Sequence, residues 1–171
     1  TVDVASATAA AGANKKILCI GDSLTAAGSY TQRLLDIAAA NASALQPTLL
    51  GTLGTGSNMH EGRGGWTLDG CFQQATHGGS PNPFYNAGKF DLAYYLTNSS
   101  ISTPDAVFIH LGINDVFSLT TDALVHSLMD TWCDQMSRVI GLTADATVGA
   151  IRESNAACAV FIGLVVTPTP D

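Results

Sequence analysis

Short apolar runs alternate with amphipathic stretches along most of the chain, and the first run organises the rest. Residues 17–20 are apolar and end at Gly-Asp-Ser, after which apolar residues recur at helical spacing. This pattern predicts a strand that passes into a helix at Ser23. A side chain at the carboxyl end of a central parallel strand lies in the crevice where open α/β sheets bind ligands, so Ser23 is a candidate nucleophile. Capping of the helix by Asp22 or Ser23 is the alternative.

The same alternation predicts three further strands with helices between them. The strands are expected at residues 47–53, 104–111 and 159–166, and the helices at residues 30–38, 121–141 and 144–156. The run at 104–111 is almost continuously apolar, which is typical of a parallel strand covered on both faces. The chain is therefore expected to have an α/β fold, a three-layer sandwich with a mostly parallel sheet.

Two regions between the second and third strands lack this periodicity. Residues 54–65 are rich in glycine and are expected to form a loop. Residues 66–102 are expected to be an irregular insertion with one short helix at 90–96. The insertion holds most of the aromatic residues, which argues against disorder. We expect most of these side chains to fill a satellite core, and the alternative is that they line a substrate groove. They are Trp66, Phe72, Phe84, Tyr85, Phe90, Tyr94 and Tyr95.

Length and charge narrow the class of protein. A chain of 171 residues is long enough for one domain with a sizeable core. Residues 1–14 carry mostly small side chains and are expected to be a flexible amino-terminal tail, ahead of a domain at 15–171. No apolar run approaches the roughly 20 residues of a membrane helix. The net charge is -7, and scattered Lys and Arg residues offer no basic face, so neither a membrane nor a nucleic acid is an expected partner.

The amino-terminal residues and two sequons give information on the cellular compartment in which the protein is expected. The small-residue run is typical of the mature end of an exported precursor, so a secreted or periplasmic location is predicted. Asn41 and Asn98 each begin a glycosylation sequon, which matters only for a glycoprotein made in a eukaryotic secretory pathway.

The four cysteines show no spacing typical of a metal site, and no metal is expected. Cys19 and Cys158 fall in strand-like runs and are predicted to be buried thiols. A disulfide between Cys71 and Cys133 is an open alternative in an oxidising compartment, because the sequence does not choose among the pairings.

Three short motifs follow the predicted strands in order. Residues 21–24 (Gly-Asp-Ser-Leu) follow the first strand, Gly65 lies in the glycine-rich stretch after the second, and residues 112–115 (Gly-Ile-Asn-Asp) follow the third. Together they resemble the first three blocks of the GDSL, or SGNH, hydrolase family. The resemblance implies a flavodoxin-like SGNH hydrolase fold and a serine esterase that needs no cofactor.

The resemblance also implies a role for each motif. Ser23 would attack an ester carbonyl, and the oxyanion would be held by the backbone amides of Ser23 and Gly65 and the side-chain amide of Asn114. Glycine at position 65 lets an amide approach the substrate oxygen without a Cβ in the way. Three neighbouring residues are candidate substrate-binding residues: Asp22, Trp66 and Asp115.

Further residues resemble one branch of the family. Residues 60–68, 82–85 and 90–91 are similar to those of carbohydrate esterases, including acetylxylan esterases. This similarity implies that a small acyl group, acetyl above all, is removed from an acylated carbohydrate. The alternatives are a broad-range short-chain esterase, a catalytically inactive SGNH-type glycan-binding domain, and an O-acyltransferase with the same nucleophile.

The family's fourth block, Asp-x-x-His after a fifth strand, has no counterpart in this sequence. The four histidines are His60, His77, His110 and His126, and none follows a fifth strand. A serine without its base is a poor nucleophile at neutral pH. The chain is therefore expected to be the amino-terminal portion of a longer enzyme, lacking the last strand and helix. Its expected partner is a carboxyl-terminal fragment chain that carries the Asp and the His.

Overall fold

A six-stranded, mostly parallel sheet lies at the centre of the computed structural model, which describes residues 12–41, 45–117, 119–140 and 151–163. The strands in these ranges are β1 (Asn14–Gly21), β2 (Gln46–Leu50), β3 (Leu53–Thr55), β4 (Asn58–Gly62), β5 (Thr76–His77), β6 (Ser80–Pro81), β7 (Tyr85–Asn86), β8 (Lys89–Phe90), β9 (Ala106–His110) and β10 (Ala159–Ile162). The helices are α1 (Ser23–Ala26), α2 (Ser29–Ala40), α3 (Leu68–Phe72), α4 (Leu92–Asn98), α5 (Ile113–Val116), α6 (Asp122–Ile140) and α7 (Ile151–Ser154).

Strand β1 is central in the sheet. It pairs in parallel with β9 on one side, and β9 pairs in parallel with β10. On its other side, β1 pairs first with β2 and then, at Ile20 and Gly21, with β4. Gly21 has Gly62 and His110 as its two neighbours, so β1, β4 and β9 end at the same edge of the sheet. An α/β fold with a mostly parallel sheet is therefore confirmed.

The two faces of the sheet are covered by different parts of the chain. Leu18, Ile20 and Val107 are fully buried on the face that packs against the insertion, α6 and α7. On the opposite face, α1 and α2 cover the sheet, and the Tyr30 ring lies 5.7 Å from that of Phe108. Helices on both faces explain why β1 and β9 read as near-continuous apolar runs.

Most aromatic residues of the insertion are in the core, which confirms that expectation. Trp66, Phe72, Phe84, Phe90 and Tyr95 are buried. The centroid of the Phe84 ring lies 5.1 Å from that of Phe90 and 4.3 Å from that of Tyr95. Such ring pairs stabilise a fold beyond the apolar area that they bury. The insertion is therefore a packed layer against the sheet.

The stretch between the second and third predicted strands differs from the prediction. The strand expected at 47–53 ends at Leu50, and β3 starts separately at Leu53. The loop expected at 54–65 contains β4, which pairs antiparallel with β3 and parallel with β1. The apolar pattern missed β4 because its five residues are mostly polar or glycine.

The remaining predicted elements agree in kind with the structure where it describes them. The helices expected at 30–38, 90–96 and 121–141 are α2, α4 and α6, and the strands expected at 17–20 and 104–111 are β1 and β9. The tail at 1–14 lies mostly outside the described residues, as do residues 144–150 of the helix at 144–156 and residues 164–166 of the strand at 159–166. Within the described ranges, no helix has both the length and the apolar character needed to cross a bilayer.

All four cysteines are free thiols. Cys19 and Cys158 are buried, as predicted. The pairing left open for Cys71 and Cys133 is not made, since Cys71 is buried while Cys133 is exposed. Burial raises the pKa of the Cys19 thiol to about 11, so this group stays protonated and unreactive at neutral pH.

Helix α1 lies directly on the sheet edge because β1 and β4 both end in glycine. A Cβ at Gly62 would overlap the backbone nitrogen of Ala26, and one at Gly21 would overlap the Thr25 hydroxyl and approach the His110 carbonyl oxygen to 2.7 Å. Backbone atoms cannot move aside as a flexible side chain can. The turn that carries Ser23 therefore depends on these two glycines.

Replacing Gly62 by Ala should destabilise the fold by about 2–3 kcal/mol, because the added methyl group has to displace the α1 backbone. The matched control is Gly64→Ala, where a Cβ would meet no atom within 4 Å and the backbone is not left-handed. We expect the control to stay within about 0.5 kcal/mol of the wild type. Urea unfolding of both variants measures the difference, and equal losses would contradict the close-packing argument.

Candidate active site

Ser23 lies at the turn between β1 and α1. The Asp22 carboxylate accepts a hydrogen bond from the Leu24 N–H at 2.9 Å, and the residue is 1% exposed. Asp22 is thus the residue that caps the helix. Ser23 is exposed, and its hydroxyl makes no hydrogen bond to any residue that the structure describes. This geometry leaves the Ser23 hydroxyl available for chemistry.

The loop after β4 carries Gly65. The loop is tied to β1, because the Arg63 N–H donates to the Gly21 carbonyl oxygen at 2.9 Å, and it closes through a 3.2 Å bond from the Trp66 N–H to the Arg63 carbonyl. Gly65 has φ +77°, the left-handed region that favours glycine. Its N–H makes no hydrogen bond within the described ranges. Gly65 therefore presents an unpaired backbone donor.

Asn114 lies in α5, which begins after β9 at the left-handed Gly112. The Asn114 Nδ2 group donates to the Trp66 carbonyl oxygen at 2.8 Å. An amide nitrogen carries two hydrogens, so the second hydrogen of Nδ2 remains for another acceptor. The Asp115 carboxylate accepts from the Leu68 N–H, with both oxygens at 3.1 Å. These two side chains fasten the Asn114 turn to the Gly65 loop.

The structure brings all three sequence motifs to one edge of the sheet. The Ser23 turn leaves β1 at Gly21, and the loops that carry Gly65 and Asn114 leave the two strands that flank it. An exposed hydroxyl, an unpaired N–H and a neutral amide thus lie at neighbouring turns. This combination suits nucleophilic attack on a carbonyl with stabilisation of the resulting oxyanion.

The candidate substrate-binding residues are held largely by the protein itself. Asp22 and Trp66 are buried, and the Trp66 ring packs 6.3 Å from Phe84, with the Arg63 guanidinium 5.3 Å from its centroid. Asp115 is half-buried against Leu68. The structure therefore assigns the Asp22 carboxylate to helix capping and the Trp66 ring to the core, so neither side chain offers surface to a substrate.

A buried ion pair beneath the Gly65 loop was not predicted from the sequence. The Glu61 carboxylate is fully buried and lies 2.8 Å from the Arg63 guanidinium. It also accepts hydrogen bonds from the Thr52 N–H and hydroxyl at 2.5 Å each and from the Tyr95 hydroxyl at 2.8 Å. A buried charge requires such pairing. The only sequence signal is a Glu two residues before an Arg, which is common on surfaces.

The histidines near the edge are held in other interactions. His60 is buried, its Nδ1 accepts from the Gly62 N–H at 3.1 Å, and burial lowers its pKa. His110 pairs with Gly21 in the sheet, and its ring lies edge-on to Tyr30 at 5.8 Å.

The other two histidines, His77 and His126, are not hydrogen bonded to Ser23 within the described residues either. The His77 Nε2 lies 2.8 Å from the Gly65 carbonyl oxygen, and His126 is exposed on α6. None of the four imidazoles is hydrogen bonded to the Ser23 hydroxyl in the described part of the chain. Within the described residues, the site therefore has an exposed Ser23 hydroxyl and neutral hydrogen-bond donors at Gly65 and Asn114, and no base is hydrogen bonded to that hydroxyl.

No group of three or more His, Cys, Asp or Glu side chains within the described ranges is arranged to hold a metal ion.

Comparisons of the chain with protein-family models, curated proteins and solved structures give no match.

Replacing Asp115 by Asn should change how stability depends on pH. Burial raises the pKa of the Asp115 carboxyl, and the Leu68 N–H opposes the shift only in part. The folded protein therefore holds this proton more tightly than the unfolded chain does, so ionisation of Asp115 destabilises the fold as the pH rises above about 4. Asparagine keeps an acceptor oxygen for Leu68 and carries no charge. We expect the variant to gain stability relative to the wild type between about pH 4 and pH 7.

Urea-unfolding free energies of both proteins, measured across that pH range, test this expectation. A difference between them that stays constant with pH would contradict it.

Proposed function

We propose that this protein is a serine esterase of the SGNH type, which hydrolyses short-chain acyl esters, above all acetyl esters, carried on carbohydrate. The observation that carries the proposal is the meeting of Ser23, Gly65 and Asn114 at one edge of a mostly parallel sheet. The three motifs occur in the order of the family's first three blocks. In the structure, the turns that carry these motifs follow β1, β4 and β9, which end at the same edge of the sheet.

In the proposed reaction, the Ser23 oxygen attacks the ester carbonyl carbon, and the carbonyl oxygen takes on negative charge. The N–H groups of Ser23 and Gly65 and the second Nδ2 hydrogen of Asn114 then donate to that oxygen. All three donors are neutral, so the site stabilises the charge without a change of its own protonation state. Collapse of the tetrahedral intermediate breaks the ester C–O bond, and the carbohydrate hydroxyl leaves with the proton that the base took from Ser23. Water then attacks the acyl-enzyme in the same way, which releases the acid and restores the Ser23 hydroxyl.

The proposed substrate class rests on the resemblance of residues 60–68, 82–85 and 90–91 to carbohydrate esterases. In the structure, Asn82 has a supporting role, since its Nδ2 donates to the carbonyl oxygens of Gly70, Cys71 and Gln74. This part of the resemblance therefore concerns the framework behind the Gly65 loop. A secreted or periplasmic location suits an enzyme that acts on polymeric carbohydrate.

We further propose that the general base comes from a histidine outside these 171 residues, on a polypeptide that completes the site beside Ser23. All four histidines of the chain are described, and none is hydrogen bonded to the Ser23 hydroxyl. An attacking hydroxyl needs a base within hydrogen-bond reach.

A second candidate function is a catalytically inactive domain that binds glycans. The observation that favours it is the same lack of an imidazole hydrogen bonded to Ser23. Such a domain would bind acylated or free glycans without turning them over.

In material that also contains the polypeptide with the proposed base, a fluorophosphonate probe should label this chain at Ser23, because the probe reports an activated serine beside oxyanion donors. We expect Ser23→Ala to abolish labelling and Ser29→Ala to leave it unchanged, since Ser29 is an exposed serine that begins the next helix. Mass spectrometry of the labelled peptide locates the modification. Absence of labelling in material that binds glycans would support the inactive domain instead.

Material purified with full esterase activity should contain more polypeptide than these 171 residues. Intact-mass measurement and sequencing of the active fraction test this, and the additional polypeptide should contain Asp-x-x-His. A single species with the mass of the 171 residues that hydrolyses esters through Ser23 would refute an external base.

A further inference from the structure

His77 contacts the loop that carries the proposed oxyanion donor. Its Nε2 lies 2.8 Å from the Gly65 carbonyl oxygen. A carbonyl oxygen only accepts hydrogen bonds, so Nε2 carries a hydrogen and donates it. The ring is seated against α3, because a Cβ at Gly70 would lie 2.5 Å from His77 Nδ1. The imidazole thus reaches Gly65 from a fixed position.

Polar side chains lie at the other edge of the imidazole. His77 Nδ1 lies 3.4 Å from the Gln74 Oε1, which only accepts, so this contact is a hydrogen bond when Nδ1 also carries a hydrogen. The Gln74 Nε2 donates to the Asp69 carboxylate at 2.5 Å, which turns Oε1 toward the histidine. Asp69 belongs to α3 and also accepts from the Gln135 amide of α6 at 3.4 Å. An imidazolium that donates from both nitrogens is therefore linked to α3 and α6, whereas a neutral ring with its hydrogen on Nε2 keeps the bond to Gly65 and the packing against Gly70.

Gly65 needs such an anchor more than most residues. It is exposed, its backbone is left-handed, and no atom lies within 4 Å of the place where a Cβ would be. A glycine without packing contacts has the widest choice of backbone angles. The hydrogen bond to its carbonyl oxygen restricts rotation about the Cα–C bond, and the bonds of Arg63 and Trp66 restrict the two sides of the turn.

We propose that His77 is a positioning residue, which holds the carbonyl group of Gly65 and so limits the backbone angles of this residue, with the result that its N–H faces the carbonyl group attacked by Ser23. The inference rests on the esterase proposed above for its catalytic consequence. Its structural part, that the Nε2–H of His77 orders Gly65, does not depend on that activity. His77 is not the base in this scheme, because its Nε2 hydrogen is directed at the loop.

Two substitutions separate the donor from the bulk of the side chain. His77→Phe keeps a ring against Gly70 and removes the donor, whereas His77→Gln keeps an N–H donor of similar reach. In material that contains the polypeptide with the proposed base, we expect His77→Phe to slow fluorophosphonate labelling of Ser23 by about 10- to 100-fold, since a displaced catalytic group costs up to roughly 100-fold. His77→Gln should restore labelling to within about threefold of the wild type. Equal rates for both variants and the wild type would overturn the proposal.

Nuclear magnetic resonance supplies a readout that does not depend on catalysis. The ¹⁵N relaxation and hydrogen exchange of the Gly65 amide should show increased mobility in His77→Phe and near-native behaviour in His77→Gln. If the wild type is not labelled in material that contains the polypeptide with the proposed base, the esterase fails, and these measurements alone decide whether His77 orders Gly65. Unchanged Gly65 resonances in His77→Phe would then overturn the inference.

A measurement on the wild-type protein tests the proposal even if a variant does not fold. A long-range ¹H–¹⁵N spectrum of the imidazole shows which ring nitrogen carries hydrogen. We expect a hydrogen on Nε2 of His77. A neutral ring with its hydrogen on Nδ1 alone would exclude donation to Gly65.

Discussion

The site depends on how closely α1 approaches the ends of β1 and β4. Gly21 and Gly62 are neighbours in the sheet, and the backbone of α1 occupies the space that their side chains would fill. This contact sets the height of Ser23 above the sheet edge. It also brings the strand that leads to Gly65 next to the strand that leads to Ser23. A larger residue at either position would separate the nucleophile from its proposed donors.

Hydrogen bonds between the turns then hold the edge together. The Arg63 N–H joins the Gly65 loop to β1, and Asn114 and Asp115 join the turn after β9 to the same loop. In this arrangement, one Nδ2 hydrogen of Asn114 maintains the site, and the other is the proposed donor to a substrate. When one side chain both stabilises a site and binds a ligand, its substitution weakens both the structure and the binding.

The sequence allowed prediction of the parts that depend on local pattern. Apolar runs located β1 and β9, and the motifs at strand ends indicated that Ser23, Gly65 and Asn114 share an edge. Strand β4 was missed because its partners, and not its own polarity, make it a strand. The pairing of Glu61 with Tyr95 and the contact of His77 with Gly65 join residues 34 and 12 positions apart. No local periodicity encodes such contacts.

Strand β1 changes partner along its length, from β2 to β4, and Glu61 lies beside the point of exchange. At Thr52, just beyond the end of β2, the carboxylate accepts the backbone hydrogen bond that a strand carbonyl would otherwise receive. The hairpin of β3 and β4 is thereby linked to the turn before it and to the loop after it. Fluctuations that open this hairpin would be transmitted to Gly65, so the three segments form one cooperative unit of local unfolding.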